Sequence, residues 1–270
     1  MIDTSPSPSI FVTTTVPRFE ELIAPSHWRT VEFISDLHLQ ASEPATVSAF
    51  EHYLRSTTAD ALFILGDLFE VWVGDDAIDE PGSFEAQGCT ALFAASQRRQ
   101  LYFMHGNRDF LAGPAFLQRT GMTGLADPTV LVFGHQRIVL SHGDLLCLDD
   151  VDYQRFRIQA RSSAWQDTFL AQPLATRRAQ ARGIRQESEA KKQSGVTYAD
   201  VDGPAAIGWL QAAGAGTLLH GHTHRPATHA LTPDLKRVVL SDWDAAALPP
   251  RLETLRLSAQ GLERIALDPR

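Results

Sequence analysis

Four histidines, two aspartates and one asparagine stand at, or just beyond, the ends of short hydrophobic runs. They are Asp36, His38, Asp67, Asn107, His142, His222 and His224. Nitrogen and oxygen donors without thiolate suit Mn²⁺, Fe or Zn²⁺ better than Cu⁺ or an iron–sulfur cluster. Seven ligands are more than the four that one closed tetrahedral metal site holds. They suit two metal ions that share a carboxylate, an arrangement that holds both the attacking and the leaving oxygen in phosphoryl transfer.

Each of these residues has a simpler interpretation when it is taken alone. Asp and Asn are common in turns, so Gly66-Asp67 and Gly143-Asp144 could be ordinary turn residues. A single histidine is more often packed or solvated than bound to a metal. Five polar groups that follow five hydrophobic runs are hard to explain by turns, and the joint pattern therefore favours a two-metal centre.

The histidine cluster at residues 220–224 follows the hydrophobic run 216–219. Imidazoles at alternate positions of an extended segment point to the same side. We therefore predict that His222 and His224 reach one metal ion or two adjacent ones, whereas His220 is structural.

Hydrophobic runs and their spacing indicate an α/β protein. Residues 46–56 and 84–99 have helical character, and Gly134-His135 between two runs predicts a β-hairpin. Sites in layered α/β folds collect in the loops at strand ends, where the candidate ligands stand. The predicted strands are 31–34, 61–65, 101–104, 130–133, 137–140, 217–219, 238–240 and 252–257.

Strand signals disappear between residues 145 and 200. Ile158, Trp165 and Phe169 fall at i, i+7 and i+11, as on one helical face. Residues 153–192 contain nine Arg or Lys and three Asp or Glu. We interpret 145–200 as a helical cap insertion in a domain of residues 29–270. Residues 1–28, rich in Ser, Thr and Pro, are predicted to be a disordered tail.

Composition excludes several classes of protein. The net charge of −8 argues against a general nucleic-acid-binding protein. Two cysteines, Cys89 and Cys147, form no disulfide framework, which favours a reducing cytoplasmic setting. No apolar run approaches the roughly 20 residues needed to span a bilayer, and we see no secretory signal.

The motifs resemble those of the calcineurin-like metallophosphoesterase superfamily, namely Asp-x-His, Gly-Asp, Gly-Asn-His-Asp/Glu, a lone His before Gly, and Gly-His-x-His. In this chain they are Asp36-Leu37-His38, Gly66-Asp67, Gly106-Asn107-Arg108-Asp109, His142-Gly143-Asp144 and Gly221-His222-Thr223-His224. The resemblance implies a two-sheet α/β/β/α sandwich with a helical cap insertion. It also implies that the seven residues are metal ligands, with Asp67 bridging.

One position departs from the superfamily pattern. Arg108 stands where most members have a histidine, which is usually assigned as the acid that assists the leaving group. Arginine stays protonated near neutral pH and is a poor proton donor, but its planar guanidinium can donate two parallel hydrogen bonds to phosphate oxygens. We therefore expect the leaving group to be stabilised by charge, which favours a pyrophosphate over an alkyl monoester.

With this arginine, the extended motifs resemble the UDP-2,3-diacylglucosamine diphosphatase family of lipid A biosynthesis. The resemblance implies a hydrolase in which water attacks the α-phosphorus of UDP-2,3-diacylglucosamine and releases UMP, with two Mn²⁺ as cofactors. The motifs are residues 66–70, 74–76, 106–111 and 220–226, then Asp149-Asp150, Tyr153-Gln154, Phe156-Arg157, and Arg185 with Ser188.

Carried over by position, the resemblance implies catalytic roles for Asp67, Asn107, Arg108 and His222. Substrate contacts would come from Asn107, Arg108, Asp150, Ser188, Lys192 and His222. The match weakens after Ser188, where the family has Asn and then Lys and this chain has Lys191-Lys192-Gln193-Ser194. Lys191 is therefore an alternative to Lys192. Asp109 and Asp144 are expected to orient ligand histidines. His105 is expected either to contact a ligand residue without binding metal itself or to pack in the interior.

Two features of the insertion keep alternative interpretations. Trp165 and Phe169 could line an acyl pocket, or they could pack the small core of the insertion itself. The basic residues could hold a diphosphate and favour an anionic membrane surface, or form a solvated helix face. We expect a cytoplasmic monomer that associates peripherally with the inner membrane, takes an amphiphilic nucleotide-lipid substrate and binds no nucleic acid.

Two other functions remain open at this point. One is another metal-dependent nucleotide pyrophosphatase or phosphodiesterase, which would prefer soluble dinucleotides. The other is a non-catalytic scaffold on the same fold, which would bind no metal.

Overall fold

The computed structural model describes residues 16–193 and 199–268, without the side chains of 187–193. This part of the chain forms two six-stranded sheets. The first sheet contains β2 (Thr30–Ile34), β3 (Ala61–Leu65), β4 (Gln100–Met104), β5 (Thr123–Leu125), β11 (Glu253–Ser258) and β12 (Gly261–Ala266). The second contains β1 (Glu20–Ile23), β6 (Thr129–Phe133), β7 (Gln136–Ser141), β8 (Thr217–His220), β9 (Ala227–Ala230) and β10 (Lys236–Val239).

The two sheets have similar plans. In the order β12-β11-β2-β3-β4-β5, strands β2 to β5 are parallel and β11 runs antiparallel to β2. In the order β1-β6-β7-β8-β10-β9, strands β7, β8 and β10 are parallel. The antiparallel pair β6–β7 confirms the predicted hairpin. Parallel strands end at a common edge of the sheet, which gathers the loops that follow them.

Helices cover both outer faces of the sheets. They are α1 (Pro44–Ser56), α2 (Phe84–Ser96), α3 (Pro114–Thr120), α4 (Val151–Ala160), α5 (Ser163–Leu170), α6 (Leu174–Gln193) and α7 (Gly203–Ala213), with short 3₁₀ turns at Asp75–Asp79 and Asp144–Leu146. Sequence signals set several of their ends. Ser83 accepts a hydrogen bond from Ala86 N at the start of α2, and Gly214 ends α7 in the left-handed conformation.

Three hydrophobic layers hold the elements together. Phe33, Phe63 and Leu140 belong to the layer between the two sheets. Ile64 packs with Phe50 of α1 and Leu92 of α2 on the outer face of the first sheet. Trp209 and Leu210 of α7 cover the outer face of the second sheet. The predicted α/β/β/α sandwich is confirmed, and strands β3 and β8, buried on both faces, are the apolar runs seen in the sequence.

The predicted tail overlaps an ordered strand, so the prediction for residues 1–28 is wrong over part of its length. Strand β1 pairs in parallel with β6, and Trp28 is buried against Phe63 and Tyr102. The signal was missed because β1 is an edge strand with largely exposed side chains and no apolar alternation. Residues 1–15 of the predicted tail lie outside the described residues.

The predicted single helical face of the insertion is also wrong. Helix α4 ends at Ala160, and Ser162 begins α5 by accepting a hydrogen bond from Trp165 N. Ile158 is therefore on a different helix from Trp165 and Phe169, and it is 67% exposed. Phe169 is buried and stacks on Trp165, which contacts Phe110 of the body at a centroid distance of 6.1 Å. Of the two alternatives for this aromatic pair, the structure favours packing, here against the body.

Among the described residues, no helix combines the length and the apolar character that crossing a membrane requires.

Candidate metal centre

The seven candidate ligands follow five strands that come from both sheets. Their loops meet where the carboxyl ends of those strands come together. Asp36 and His38 follow β2, Asp67 follows β3, Asn107 follows β4, His142 follows β7, and His222 and His224 follow β8.

Five of these residues have a backbone conformation that side chains with a Cβ seldom adopt. Within the described ranges, the non-glycine residues with positive φ are Asp36, His38, Asp67, His222 and His224, with φ between 49° and 64°. Such a conformation costs on the order of 1 kcal/mol per residue, and it persists where the surrounding structure over-determines it. The expected extended geometry for His222 and His224 is therefore wrong, because β8 ends at His220 and both residues have a left-handed backbone conformation.

Two motif glycines make room for the carboxylates. A Cβ on Gly106 would collide with the carboxylate of Asp67, and a Cβ on Gly221 would collide with Asp36 and Ser35. Glycine is required at both positions because the backbone of one loop lies directly against the acidic side chain of another.

One candidate metal-binding group comprises Asp36, His38 and His224, whose ligand atoms lie within 4.8 Å of one another. The Nε2 atoms of the two histidines are 3.3 Å apart, and Nε2 of His224 is 3.4 Å from Oδ1 of Asp36. Asp36 is fully buried, and its carboxylate also accepts hydrogen bonds from Ser35 Oγ and from the backbone N–H of His222. The first loop and the last loop of the site are thereby joined.

A second group comprises Asp36, Asp67 and His142. His142 Nδ1 lies 2.9 Å from the carbonyl oxygen of Leu65, so it donates there and Nε2 is left to face the site. That Nε2 is 3.1 Å from Asn107 Oδ1 and 3.7 Å from Asp67 Oδ1.

The second group extends to His222, because Asn107 Oδ1 lies 2.9 Å from His222 Nδ1. Asp36 belongs to both groups, and Asp67, a member of the second, also faces the first. Oδ1 of Asp67 faces His142, and its Oδ2 is 4.0 Å from His38 Nε2. All seven predicted ligands are therefore brought together, and their nitrogen and oxygen donors fit two divalent cations.

The electrostatics of the site favour positive charge. Burial alone would lower the pKa of His142, but the carboxylates of Asp67, Asp144 and Asp36 raise it to about 9. Burial opposes ionisation of Asp36 as well, yet the hydrogen bond and charge of His224 bring its pKa well below the ordinary value. Burial and the neighbouring His142 lower the pKa of His222 to about 4. A pocket that holds the Asp36 carboxylate ionised and draws a proton onto the buried imidazole of His142 is suited to cations.

Arg108 lies at the edge of this cluster, as predicted. Its backbone N–H donates to Asp67 Oδ1 at 2.8 Å, and its Nε is 3.9 Å from Asp67 Oδ2. The side chain is 15% exposed and lines a cavity of about 780 Å³ that opens beside His38 and His224. The guanidinium is thus placed between the metal-binding residues and the space that a substrate could enter.

The roles expected for Asp109 and Asp144 are wrong. Asp109 accepts hydrogen bonds from the backbone N–H groups of Gly106, Asp67 and Leu68, so it shapes two ligand loops and contacts no ligand imidazole. Asp144 accepts from Tyr153 Oη and Arg157 Nε, which attaches α4 to the site. Asp109 and Asp144 each stand two residues after a candidate ligand, but local spacing does not specify the partner.

The insertion contributes contacts that the sequence analysis did not assign. Tyr153 stacks on His222 with ring centroids 5.9 Å apart, and Arg161 donates to Gly106 O at 2.9 Å. Glu70, which follows the Asp67 loop, pairs with both His38 and Arg185. Tyr153, Glu70 and Arg185 were named only as parts of longer motifs, and Arg161 was not named, because their partners are distant in sequence.

The predicted substrate contacts are placed unevenly. Asn107, Arg108 and His222 are in the cluster described above. Asp150 begins α4, where its carboxylate accepts a hydrogen bond from Tyr153 N at 3.1 Å. The side chains of Ser188, Lys191 and Lys192 lie outside the described residues, so their contacts with substrate stay a prediction.

Comparison with known proteins agrees with this arrangement. Residues 30–226 match the family described as calcineurin-like phosphoesterase. This range contains all seven candidate ligands and the helices α4–α6.

Several relatives match almost their full length. The chain is 40% identical over 247 residues to UDP-2,3-diacylglucosamine hydrolase of Chromohalobacter salexigens, a match covering 86% of this chain and 99% of that protein. Identity is 43% over 255 residues with the protein of the same name from Xanthomonas axonopodis pv. citri (88% and 100% covered). It is 48% over 217 residues with that of Chromobacterium violaceum (79% and 90% covered).

Proposed function

The chain belongs to the calcineurin-like phosphoesterase family and, within it, to the UDP-2,3-diacylglucosamine hydrolases, and we propose that it cleaves the pyrophosphate bond of UDP-2,3-diacylglucosamine in lipid A biosynthesis. The products would be UMP and 2,3-diacylglucosamine 1-phosphate. The relatives do not favour the alternatives of another nucleotide pyrophosphatase or a non-catalytic scaffold.

The observation that carries this proposal is the position of Arg108 beside the two candidate metal groups. In the resemblance noted above, most phosphoesterases have a histidine at this position, which can give a proton to an alkoxide. Arginine side chains stay protonated in proteins, so an arginine at this position can assist only a leaving group that already carries its negative charge well. A phosphate leaving from a pyrophosphate meets that condition.

The metal ligands and Arg108 would have different roles in hydrolysis. The seven ligands would hold two divalent cations, which supply Lewis-acid polarisation of the phosphoryl group and lower the pKa of water. One oxygen of Asp67 lies near His38 and the other near His142, which supports a role for Asp67 in holding both cations. Arg108 would bind the diphosphate oxygens and stabilise charge as it develops. Asn107 and His222 would contact the same phosphate from the opposite group.

We also propose Mn²⁺ as the metal, the ion that the family resemblance implies. The imidazole and carboxylate donors, without thiolate, suit Mn²⁺, Fe or Zn²⁺. The amphiphilic substrate would be taken from the inner membrane surface by a monomer associated with it peripherally. The exposed arginines Arg155 of α4 and Arg182 of α6 support this part of the proposal, since basic residues are attracted to anionic lipid surfaces.

The test is hydrolysis of UDP-2,3-diacylglucosamine with Mn²⁺, beside UDP-N-acetylglucosamine and a generic aryl phosphodiester. The proposal expects UMP from the diacylated substrate and little product from the other two. Cleavage of the aryl diester with no UMP from the lipid nucleotide would refute the assigned substrate and leave the metal centre intact.

A further inference from the structure

Glu70 occupies the space between a candidate metal ligand and a helix of the insertion. Its backbone N–H donates to Leu39 O at 3.1 Å, beside the short bridge that joins Leu39 to Phe69. The loop that carries Glu70 is therefore fixed to the loop that carries His38. The side chain is 16% exposed, and its two carboxylate oxygens have different neighbours.

One oxygen of Glu70 faces the far side of the His38 imidazole. His38 Nε2 points into the site, 3.3 Å from His224 Nε2, while His38 Nδ1 lies 3.1 Å from Glu70 Oε2. An imidazole that binds a cation through Nε2 must carry its proton on Nδ1. A carboxylate beside Nδ1 favours that tautomer and restrains the ring. In this structure Nδ1 of His38 and Oε2 of Glu70 lie within ion-pair distance but are not aligned as a hydrogen bond.

The other oxygen of Glu70 forms an ion pair with Arg185 of α6. Arg185 lines the cavity beside the metal centre, together with Arg108 and Arg182. Glu70 lines the same cavity, so its contact with Arg185 sets where that guanidinium stands relative to Arg108. A bidentate donor held by an ion pair loses less side-chain entropy when it binds an anion.

We propose that Glu70 is a positioning residue that links metal binding to substrate binding. Through Oε2 it fixes His38 for its cation, and through Oε1 it holds Arg185 for the negatively charged part of the substrate. The part that concerns Arg185 rests on the proposed function. The part that concerns His38 depends only on the metal centre.

The chain offers a matched control in a second pair of ion contacts between α6 and the body. Arg178 of α6 pairs with Glu80 at 2.6 Å and with Glu85 at 3.2 Å. Glu80→Gln therefore weakens the attachment of the same helix without contacting a metal ligand. A general loosening of α6 would affect this variant as it affects a Glu70 variant.

The first experiment titrates Mn²⁺ into the full-length metal-free protein and follows free Mn²⁺ by electron paramagnetic resonance, without substrate. Glu70→Ala should weaken Mn²⁺ binding by about 10- to 100-fold, the range for carboxylates that orient metal-bound histidines. Glu70→Gln keeps an oxygen acceptor for Nδ1–H and should recover most of that loss. Wild-type affinity in Glu70→Ala, or an equal loss in Glu80→Gln, would overturn the proposal whether or not the lipid nucleotide is a substrate.

The second experiment measures steady-state hydrolysis at saturating Mn²⁺. Glu70→Gln should raise KM for the lipid nucleotide by about three- to tenfold, with a smaller change in kcat, because Arg185 loses its charged partner. In an Arg185→Ala background the same substitution should leave KM unchanged. A KM increase of equal size in both backgrounds would contradict the role assigned to Arg185. Absence of UMP release by the wild type would instead refute the proposed function, and the Mn²⁺ titration would still decide the role of Glu70.

Discussion

The metal centre and the helical insertion are built in contrasting ways. The ligands of the centre follow strands buried in both sheets, and five of them hold a strained left-handed backbone. The insertion helices α4–α6 attach to the body through individual side chains: arginines such as Arg157, Arg161 and Arg177, and the aromatic pair Trp165 and Phe169. The centre is thus fixed by the fold itself, whereas the insertion is fixed by a few polar contacts and a small apolar patch.

This difference predicts different consequences of mutation. Removing a ligand from the rigid centre should abolish the chemical step and leave the fold intact. Weakening an arginine contact of the insertion should change substrate binding and stability by amounts typical of single polar interactions. The four predictions below test this contrast, in order from the largest expected effect to the smallest.

Asp67→Asn should reduce kcat by at least about 10³-fold, because the substitution keeps the shape of a buried side chain and removes the charge that faces both groups. UMP release measures the effect, and a circular dichroism melt checks folding. A variant that keeps a tenth of wild-type activity would show that Asp67 is dispensable and that the two groups work independently.

Arg108→Lys should lower kcat by about 10²-fold and leave the amount of bound metal unchanged. Lysine keeps the charge but cannot make the two parallel hydrogen bonds of a guanidinium fork. The control is Arg55→Lys, at an exposed position on α1 where Arg55 pairs with Glu51. Equal activity of both variants would mean that charge alone, without fork geometry, assists the leaving group.

Arg177→Met should lower the free energy of unfolding by about 2 kcal/mol and raise KM more than it lowers kcat. Arg177 is 2% exposed and donates to Val73 O, Gln172 O and Asp76, so its loss leaves the buried Val73 carbonyl unpaired. Arg178→Met, which removes more exposed ion pairs, should cost less than about 1 kcal/mol. Urea unfolding compares the two, and an equal cost would show that burial of Arg177 adds nothing.

The smallest expected effect concerns Asp200, at the end of the insertion. Hydrogen bonds from Arg237 lower the pKa of Asp200 to about 2, against an ordinary value of 3.8. A carboxyl with a depressed folded-state pKa contributes stability that is complete above about pH 4 and is lost as pH falls towards 2. Between about pH 4 and pH 2, the free energy of unfolding should therefore fall less in Asp200→Asn than in the wild type, by up to about 1 kcal/mol, as measured by urea titrations. An unchanged acid slope would show that the pair contributes nothing.

The same contrast explains what could be predicted from the sequence. The buried strands and the clustering of the seven candidate ligands were predictable, because apolar runs that end in Asp, Asn or His are local patterns. Edge strand β1 was missed because its side chains face solvent and leave no pattern. The left-handed conformation of His222 and His224 has no sequence signature outside glycine, since only tertiary packing enforces it.

Partners within the insertion could not be predicted for a related reason. Arg177 and Asp76 are separated by 101 residues, and Arg161 and Gly106 by 55. Amphipathic periodicity identifies which residues share a helical face but not which distant side chain each one meets. The break between α4 and α5 was likewise hidden, because the apolar spacing continued across the Ser162 cap.

The most direct test of the account measures bound metal and UMP release on the same sample while EDTA is titrated. The account predicts about two Mn²⁺ per chain, loss of activity as metal is removed, and recovery when Mn²⁺ is returned. Full hydrolysis of the lipid nucleotide in excess EDTA, with no metal bound, would contradict the assignment of the seven residues as a two-metal hydrolytic centre.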